Sequence, residues 1–296
     1  MLTIVLGLGS ALGYALHDFL MVKVVRAAAV WTALTWSMGV GVVVLLPLAL
    51  ILDGPPSGPA EWRAVAFATA SGVCEAAGLG CLLRGLVVGD LSVVTPLASL
   101  AGGFVAVVMI ARGETLPALA LLGLPLAVAG GLMASIEKTP KEELFGQDEG
   151  AAGASRRTRT RATAGAGWGL LSSALFAVTV LLFVAARDLS PVALAAYGRV
   201  GTMVVLVPIA LLLAGLRLPA PLAKRAGVAG LFDAAAFVAL AAAISIGPVA
   251  IASVVASQGG TMAALLGLVF LRERLSRVQL VGVAMTCGAV ALLATG

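Results

Sequence analysis

Long apolar runs separated by short polar segments fill most of the chain. The runs are too solid for a membrane β-barrel, whose strands alternate apolar and polar residues over about ten positions. A helix needs about 20 apolar residues to cross the hydrocarbon core, and lipid offers no partner to an unpaired backbone group. The pattern therefore predicts an all-α integral membrane fold with ten transmembrane helices, at residues 2–22, 28–52, 64–86, 91–111, 116–136, 167–186, 191–214, 227–246, 249–271 and 278–295.

Matching residues recur in the two halves of the chain, about 158 positions apart. The matched pairs are Trp36 and Tyr197, Pro47 and Pro208, Glu75 and Asp233, and Ser99 and Ser257. Each half holds five predicted spans, an odd number, so the second half enters the membrane in the opposite orientation. We therefore expect two inverted five-helix repeats, residues 1–136 and 167–296, joined by a flexible polar linker at 137–166. Substrate sites of such proteins lie near the midplane between the repeats.

Composition excludes a soluble protein. Hydrophobic residues make up 61% of the chain and charged residues 11%, against about 25% charged in soluble domains. The net charge of +5 lies between the spans and not on one stripe, so we expect no nucleic-acid partner. Cys74, Cys81 and Cys287 fall within apolar segments, and the chain has one histidine. We therefore expect no metal site, no disulfide and no cofactor.

Lysine and arginine are concentrated in the segments on one side of the predicted bundle, the linker included. Only Arg63, Arg112 and Arg187 fall on the other side. By the positive-inside rule the basic side is cytoplasmic, which places both termini outside.

Ionisable side chains within spans are costly and therefore mark candidate functional positions. Glu75 and Asp233 occupy corresponding places in the third helix of each repeat, so they could face one cavity. One interpretation is that they bind a proton or a cationic group of the substrate, because burial disfavours the charged carboxylate. The alternative is a structural ion pair with Arg199 or Arg84.

His17 and Asp18 are neighbours in the first span. On a helix they point about 100° apart, so we expect that they do not share one site closely and that only one of them faces the interior. Histidine suits proton coupling because it titrates near physiological pH. The alternative for His17 is a packed, hydrogen-bonded residue, and Asp18 could instead pair with a basic group of the other repeat.

A second group of residues is expected to bind substrate. Arg199 lies well inside its span, where a guanidinium would recognise a carboxylate or phosphate through two hydrogen bonds. Trp36 and Tyr197 would form an amphipathic wall, unless they belong to the interfacial aromatic belts. The same expectation extends to Ser99, Ser257 and Gln258.

Three stretches carry a family resemblance. Residues 89–100 read Gly-Asp-Leu-Ser-Val-Val-Thr-Pro-Leu-Ala-Ser-Leu, residues 247–253 read Gly-Pro-Val-Ala-Ile-Ala-Ser, and residues 271–276 read Leu-Arg-Glu-Arg-Leu-Ser. In these the chain resembles the EamA-type transporters of the drug/metabolite transporter (DMT) superfamily, which have two five-helix repeats. The resemblance implies both termini in the cytoplasm, against the charge distribution. Glycine pairs stand at Gly102-Gly103 and Gly259-Gly260, where members often carry proline or an aromatic residue.

These observations together predict a transporter and not an enzyme. We expect a multi-pass protein of the plasma membrane, a monomer or homodimer in contact with lipid. It would move a small organic metabolite, amino-acid-like and in the export direction, by alternating access with proton coupling. The alternatives are a cation carrier or channel of the same fold, for example for a divalent metal, and an intramembrane enzyme.

Overall fold

Helices account for all of the regular secondary structure in the part of the chain that the computed structural model describes, which is residues 1–89, 91–135, 151–270 and 275–295. The helices are α1 (Leu2–Ala27), α2 (Val30–Leu52), α3 (Pro59–Val88), α4 (Leu91–Ala98), α5 (Ala101–Ala111), α6 (Ala118–Ala134), α7 (Ala151–Ala185), α8 (Pro191–Leu213), α9 (Ala220–Ile246), α10 (Val249–Ala256), α11 (Gly259–Phe270) and α12 (Arg277–Thr295).

The predicted membrane fold is confirmed. Within the described residues, nine helical stretches are long and apolar enough to cross a membrane. The remaining predicted span, the fifth in chain order, is α6, an apolar helix of 17 residues. Its length of about 26 Å falls a little short of the hydrocarbon thickness.

The fourth and ninth spans are each divided into two helices, α4 with α5 and α10 with α11. At the divisions the Leu100 N–H donates to the Leu97 carbonyl at 3.3 Å, and the Gln258 N–H donates to the Val255 carbonyl at 3.2 Å. These bonds reach back three residues and not four, as in a 3₁₀ turn. The two donors therefore stay satisfied, which membrane burial requires.

The seventh helix begins earlier than the sequence pattern indicates. The predicted span starts at residue 167, but α7 starts at Ala151 and so includes the second part of the predicted flexible linker. Residues 151–164 are rich in alanine and arginine, which favour helix. Such a polar helical segment continues a membrane-spanning helix, but the hydropathy of the sequence does not reveal it. Residues 136–150 of the predicted linker lie outside the described residues.

Helices of one repeat pack mainly against helices of the other, in matched pairs. The first helix of the first repeat, α1, packs on α9, and its counterpart α7 packs on α3. The counterparts α2 and α8 pack on each other, as do α6 and α12. This exchange of equivalent partners is what a pseudo-two-fold relation between the repeats produces.

Close backbone approach shows the same correspondence at single residues. A Cβ on Gly72 of α3 would overlap the Gly198 carbonyl oxygen of α8. A Cβ on Gly230 of α9 would overlap the Ser37 carbonyl oxygen of α2. Glycine allows these helix pairs to approach closely, as small residues do in membrane bundles. The two contacts identify Ser37 and Gly198 as repeat-related positions.

Candidate functional site

Three buried ionisable side chains meet between the two repeats. Arg199 on α8 places Nη1 at 2.6 Å from Glu75 Oε2 of α3 and Nη2 at 2.9 Å from Asp233 Oδ2 of α9. Arg199 is completely buried, and Glu75 and Asp233 are 7% and 2% exposed. Asp233 lies midway along the 27-residue helix α9, with about 20 Å of helix on either side. We call this cluster the central triad.

Glycines make room for the triad. Gly72 lies one turn before Glu75, and its contact with Gly198 draws α3 against α8 beside Arg199. On α2, a Cβ at Gly41 would lie 3.1 Å from Arg199 Cγ, so the arginine stem fills the space that a side chain would need. The sequence therefore places the guanidinium between two carboxylates through backbone proximity.

Two further side chains contact the triad directly. Thr202, one turn after Arg199, donates a hydrogen bond to Glu75 Oε2 at 2.8 Å. The Phe237 ring lies 3.7 Å from Arg199 Cζ and meets Phe183 edge to face at 4.9 Å. A desolvated cation on an aromatic face contributes about 2 kcal/mol or more. Spacing could have revealed both residues, because Thr202 and Phe237 are one turn from Arg199 and Asp233.

The charges of the triad do not balance, and its hydrogen bonds are incomplete. Two carboxylates face one guanidinium, which leaves one negative charge in excess when all three groups are ionised. Arg199 Nε has no hydrogen-bond partner. Nη2 and Asp233 Oδ2 lie at ion-pair distance but without hydrogen-bond alignment. The cluster can therefore accept one further proton or one cationic group, and it has donor capacity for an anionic group.

The sequence left two partners open for the acidic pair, and the structure selects one. Glu75 and Asp233 both contact Arg199, whereas Arg84 is exposed on α3. The two carboxylates therefore share one buried ionic cluster. Coupling to a proton or cation stays a prediction for these residues.

His17 and Asp18 do contact each other, contrary to the expectation from helix geometry. His17 Nδ1 lies 2.9 Å from Asp18 Oδ1, and His17 Nε2 lies 3.0 Å from the Ser37 hydroxyl. The carboxylate bends back over the helix surface, so a 100° separation of the Cβ directions does not keep the groups apart. His17 is buried and Asp18 is exposed. Asp18 has no Lys or Arg partner among the described residues.

The two aromatic residues do not form one wall. Thr32 of α2 donates to the Gly215 carbonyl beyond the end of α8, and Ser190 before α8 donates to Asp53 beyond the end of α2. The two helices are therefore antiparallel. Trp36 and Tyr197 each lie near the start of their own helix, which separates them by on the order of 15 Å along the pair.

Each aromatic side chain also has a local environment of its own. Trp36 is 41% exposed and donates from Nε1 to the Leu216 carbonyl at 2.8 Å. Tyr197 is half-buried against the apolar core. The ring of Trp36 therefore fits the interfacial interpretation better than a shared substrate wall.

The expected polar ligands at the helix divisions bond mainly to their own helices. Ser99 donates to the Pro96 carbonyl at 2.7 Å, and Ser257 donates to the Val254 carbonyl at 2.8 Å. Both are half-buried. A substrate would have to displace these bonds to use the hydroxyl donors.

Gln258 is almost completely buried and fully hydrogen-bonded. Its amide nitrogen donates to the Ala127 and Val254 carbonyls at 3.2 and 3.0 Å. Its carbonyl oxygen accepts from Thr261 and Thr286, each at 3.3 Å. The side chain thus connects α6, α10, α11 and α12 and has no capacity left for a ligand in this arrangement.

Glu114, in the turn after α5, lies against the first turn of α10. The Ala250 N–H points to its two carboxylate oxygens at 3.3 and 3.4 Å. Burial raises the pKa of the Glu114 carboxyl, and the hydrogen bonds from the Ala250 and Val249 N–H groups oppose this shift. The carboxylate compensates unpaired N–H groups at a helix N-terminus and links the two repeats.

Metal ligation finds no support in the described part of the chain, where no group of three or more His, Cys, Asp and Glu side chains is arranged to hold an ion. The triad has two carboxylates, but a guanidinium occupies the position between them. A resident metal would have to displace this cation.

Comparison with known proteins identifies the family. Residues 1–136 and 163–295 match the EamA-like transporter family. The chain belongs to this family. It is therefore a multi-pass membrane transporter of the drug/metabolite transporter (DMT) type, with one family unit in each half. The described helices are those of an EamA-like transporter.

A solved structure shows the same fold for this EamA-like chain. This structure, described as "Crystal structure of protein", superposes with a TM-score of 0.77 at 14% sequence identity. The alignment covers 99% of this chain and 98% of that one. No curated protein sequence matches the chain. The comparisons thus establish the family and the fold.

Proposed function

We propose that this transporter carries a small organic metabolite with a cationic amine and an anionic group, in the manner of an amino acid. The observation that supports this is the central triad. Its excess carboxylate can bind an ammonium group, and the unpaired Arg199 donors can bind a carboxylate. A divalent cation alone would bind the carboxylates and leave the Arg199 donors unused.

Proton coupling follows from the same charge count. With both carboxylates ionised, the triad holds one uncompensated negative charge away from water, which is costly. Binding a proton removes this charge, and so does binding the substrate amine. The two therefore compete for one site, which is the condition for exchange of a proton against substrate. Under an inward proton gradient such exchange drives export through the plasma membrane.

Transport requires a change of conformation. Every residue of the triad is less than 10% exposed, so neither side of the membrane reaches the site in this arrangement. In the proposed alternating-access cycle this arrangement is a closed state. Opening would separate helices of opposite repeats, since these form the contacts around Arg199.

Uptake into proteoliposomes tests the proposed function. The purified protein is offered amino acids, diamines, organic acids, nucleosides and divalent cations, each with and without an imposed pH gradient. We expect gradient-dependent accumulation of a compound that carries an amine and an acidic group. Flux of inorganic cations alone would contradict the proposal in favour of a cation carrier, and absence of a gradient effect would contradict proton coupling.

A matched pair of variants links this flux to the triad. Asp233→Asn keeps the size of a buried carboxylate and removes its charge. Asp188→Asn makes the same change at an exposed position outside the helices. We expect gradient-driven flux to be lost in the first variant and retained in the second. Equal flux in both would exclude a role for Asp233 in coupling.

A further inference from the structure

A chain of polar contacts leads from the surface of α1 into the bundle. The Asp18 carboxylate, with 76% of its side chain exposed, lies 2.9 Å from His17 Nδ1. His17 is buried, and its Nε2 lies 3.0 Å from the hydroxyl of the completely buried Ser37. The imidazole therefore contacts an exposed acid through one nitrogen and a buried hydroxyl through the other.

The inner end of this chain is level with Asp233. A Cβ on Gly13 would meet Ala236, and a Cβ on Gly247 would meet Thr3, so α1 and α9 run antiparallel. One turn beyond Gly13 in this register, His17 lies opposite the turn of α9 that contains Asp233. The Ser37 carbonyl packs against Gly230, which is one turn from Asp233.

The charged groups that face His17 are few. Asp18 acts on it from its own helix, Asp233 from α9 and Arg199 from α8. Helix α2 contributes the neutral Ser37 hydroxyl. The imidazole thus lies between the exposed carboxylate and the triad, with no other charged group acting on it among the described residues.

The second repeat has no equivalent chain. The contact of Gly13 with Ala236 on α9 corresponds to the contact of Leu175 with Gly78 on α3. Four and five residues further on, the counterparts of His17 and Asp18 are therefore Thr179 and Val180. Thr179 donates to backbone carbonyls, and Val180 packs against the apolar core.

The second repeat also lacks a counterpart of the Ser37 hydroxyl. Gly198 takes the place of Ser37, as the matched glycine contacts show. None of the three counterparts can exchange a proton with bulk water through an ionisable side chain. The polar chain is therefore a property of the first repeat alone.

We propose that Asp18, His17 and Ser37 form a proton pathway that connects one face of the membrane with the central triad. The proposal rests on the proposed proton coupling. A proton taken up by Asp18 passes to His17 Nδ1, while Nε2 releases its proton to the Ser37 hydroxyl, which passes its own proton on towards Asp233. Proton count and charge are conserved. Ser37 and Asp233 share no hydrogen bond in the closed state, so the last transfer accompanies opening.

The pathway also explains the exposed position of Asp18. Ionisable residues inside spans usually line a water-filled cavity or the bundle interior. Asp18 lies within α1, with Lys23 and Arg26 nearer the end of the same helix. An aqueous funnel from that end would bring water to the carboxylate. Because only the first repeat has these groups, protons would enter or leave the triad through them on this side alone.

The single histidine of the chain allows a direct test. The protein is labelled with isotopic histidine, purified through a histidine-free tag, placed in lipid nanodiscs and followed by NMR from acidic to alkaline pH. We expect one imidazole signal that moves with pH within the range followed. Asp233→Asn and Asp18→Asn should each change the midpoint, because each removes a carboxylate that acts on the imidazole.

The matched control is Thr179→Val, the repeat-related position of His17. It should leave the imidazole titration unchanged. A signal that stays constant over the whole range would overturn the pathway, and so would a midpoint that Asp233→Asn does not alter. Gradient-driven uptake with a constant imidazole signal would reject the pathway and leave the proposed function intact.

Thiol labelling tests, without a titration, whether water reaches position 18 from one side of the membrane only. Cysteine is introduced as Asp18→Cys or Val180→Cys after removal of Cys74, Cys81 and Cys287. A membrane-impermeant maleimide is then added to one side of oriented proteoliposomes. We expect labelling of position 18 from one side only and no labelling of position 180. If position 18 is labelled from neither side of the membrane, the proposed aqueous funnel is wrong.

Discussion

Arg199 is the one lysine or arginine among the buried side chains that the structure describes, and it lies between two acids from different helices. Its repeat-related position is Met38, as the correspondence of Ser37 with Gly198 shows. A single cation thus serves two repeat-related carboxylates. This asymmetry within a symmetric fold gives the triad its excess negative charge.

Replacement of this cation leads to a stability prediction. Arg199→Met leaves two unpaired buried acids and should lower the free energy of unfolding by about 3–5 kcal/mol. Adding Glu75→Gln and Asp233→Asn removes the unpaired charges and should restore most of this loss. Denaturant or thermal unfolding in detergent measures both variants. A triple variant no more stable than Arg199→Met would contradict the assignment of the three residues to one ionic cluster.

The sequence could single out the triad residues but not join them. Glu75, Asp233 and Arg199 are conspicuous because each is ionisable within an apolar span. Whether Arg199 or Arg84 faced the acids depended on the rotation of three helices, which an almost uniformly apolar pattern does not fix. The contact between His17 and Asp18 was missed because Cβ directions alone do not describe side chains that bend.

At the scale of helices, close glycine contacts hold the two repeats together. Gly72→Ala and Gly230→Ala each place a methyl group into a carbonyl of the opposing helix and should destabilise the protein by about 1–3 kcal/mol. Gly9→Ala is the matched control, since a Cβ there would meet nothing within 4 Å. It should be neutral or slightly stabilising because alanine favours helix. Thermal unfolding in detergent distinguishes these outcomes.

Equal effects of the three alanine variants would contradict close packing at Gly72 and Gly230.

The arrangement of the helices also explains why Trp36 and Tyr197 do not form the predicted wall. The two residues occupy corresponding positions of α2 and α8, but these helices are antiparallel, so the positions lie near opposite ends of the pair. Corresponding positions in the sequence are therefore not necessarily close in space. Only positions near the pseudo-axis, such as Glu75 and Asp233, come together.

Glu114 predicts a pH dependence at the N-terminus of α10. Burial raises the pKa of this carboxyl in the folded protein, so folding favours its protonated form. The stability it contributes is present at pH below its unfolded pKa and is lost as pH rises through the folded pKa. Relative to Glu114→Gln, the wild type should therefore lose stability from acidic to neutral pH. A stability difference that stays constant across this range would contradict the prediction.

For the whole molecule, the length and hydropathy of the apolar runs were enough to predict the all-helical membrane fold. The start of α7 at Ala151 could not be read from hydropathy, because a polar helix outside the membrane has no apolar signal. The divided fourth and ninth spans were also missed. Serine stands at both divisions, as Ser99 and Ser257, but a serine within an apolar run does not by itself indicate an i→i−3 turn.

Orientation in the membrane is a separate prediction. The distribution of lysine and arginine places both termini outside, whereas the family resemblance places them in the cytoplasm. A reporter that is active only after export, fused to the C-terminus, should be active according to the charge distribution. Activity of a cytoplasm-specific reporter at the same position would contradict that orientation.

Simultaneous measurement of proton and substrate movement tests the central triad most directly. Proteoliposomes containing a trapped pH-sensitive dye are given the compound that the uptake panel identifies, with wild type, Glu75→Gln with Asp233→Asn, or Asp188→Asn. The triad account predicts coupled proton release and substrate movement in the wild type and in Asp188→Asn, and neither in the double variant. Undiminished coupled flux in a folded double variant would contradict the account.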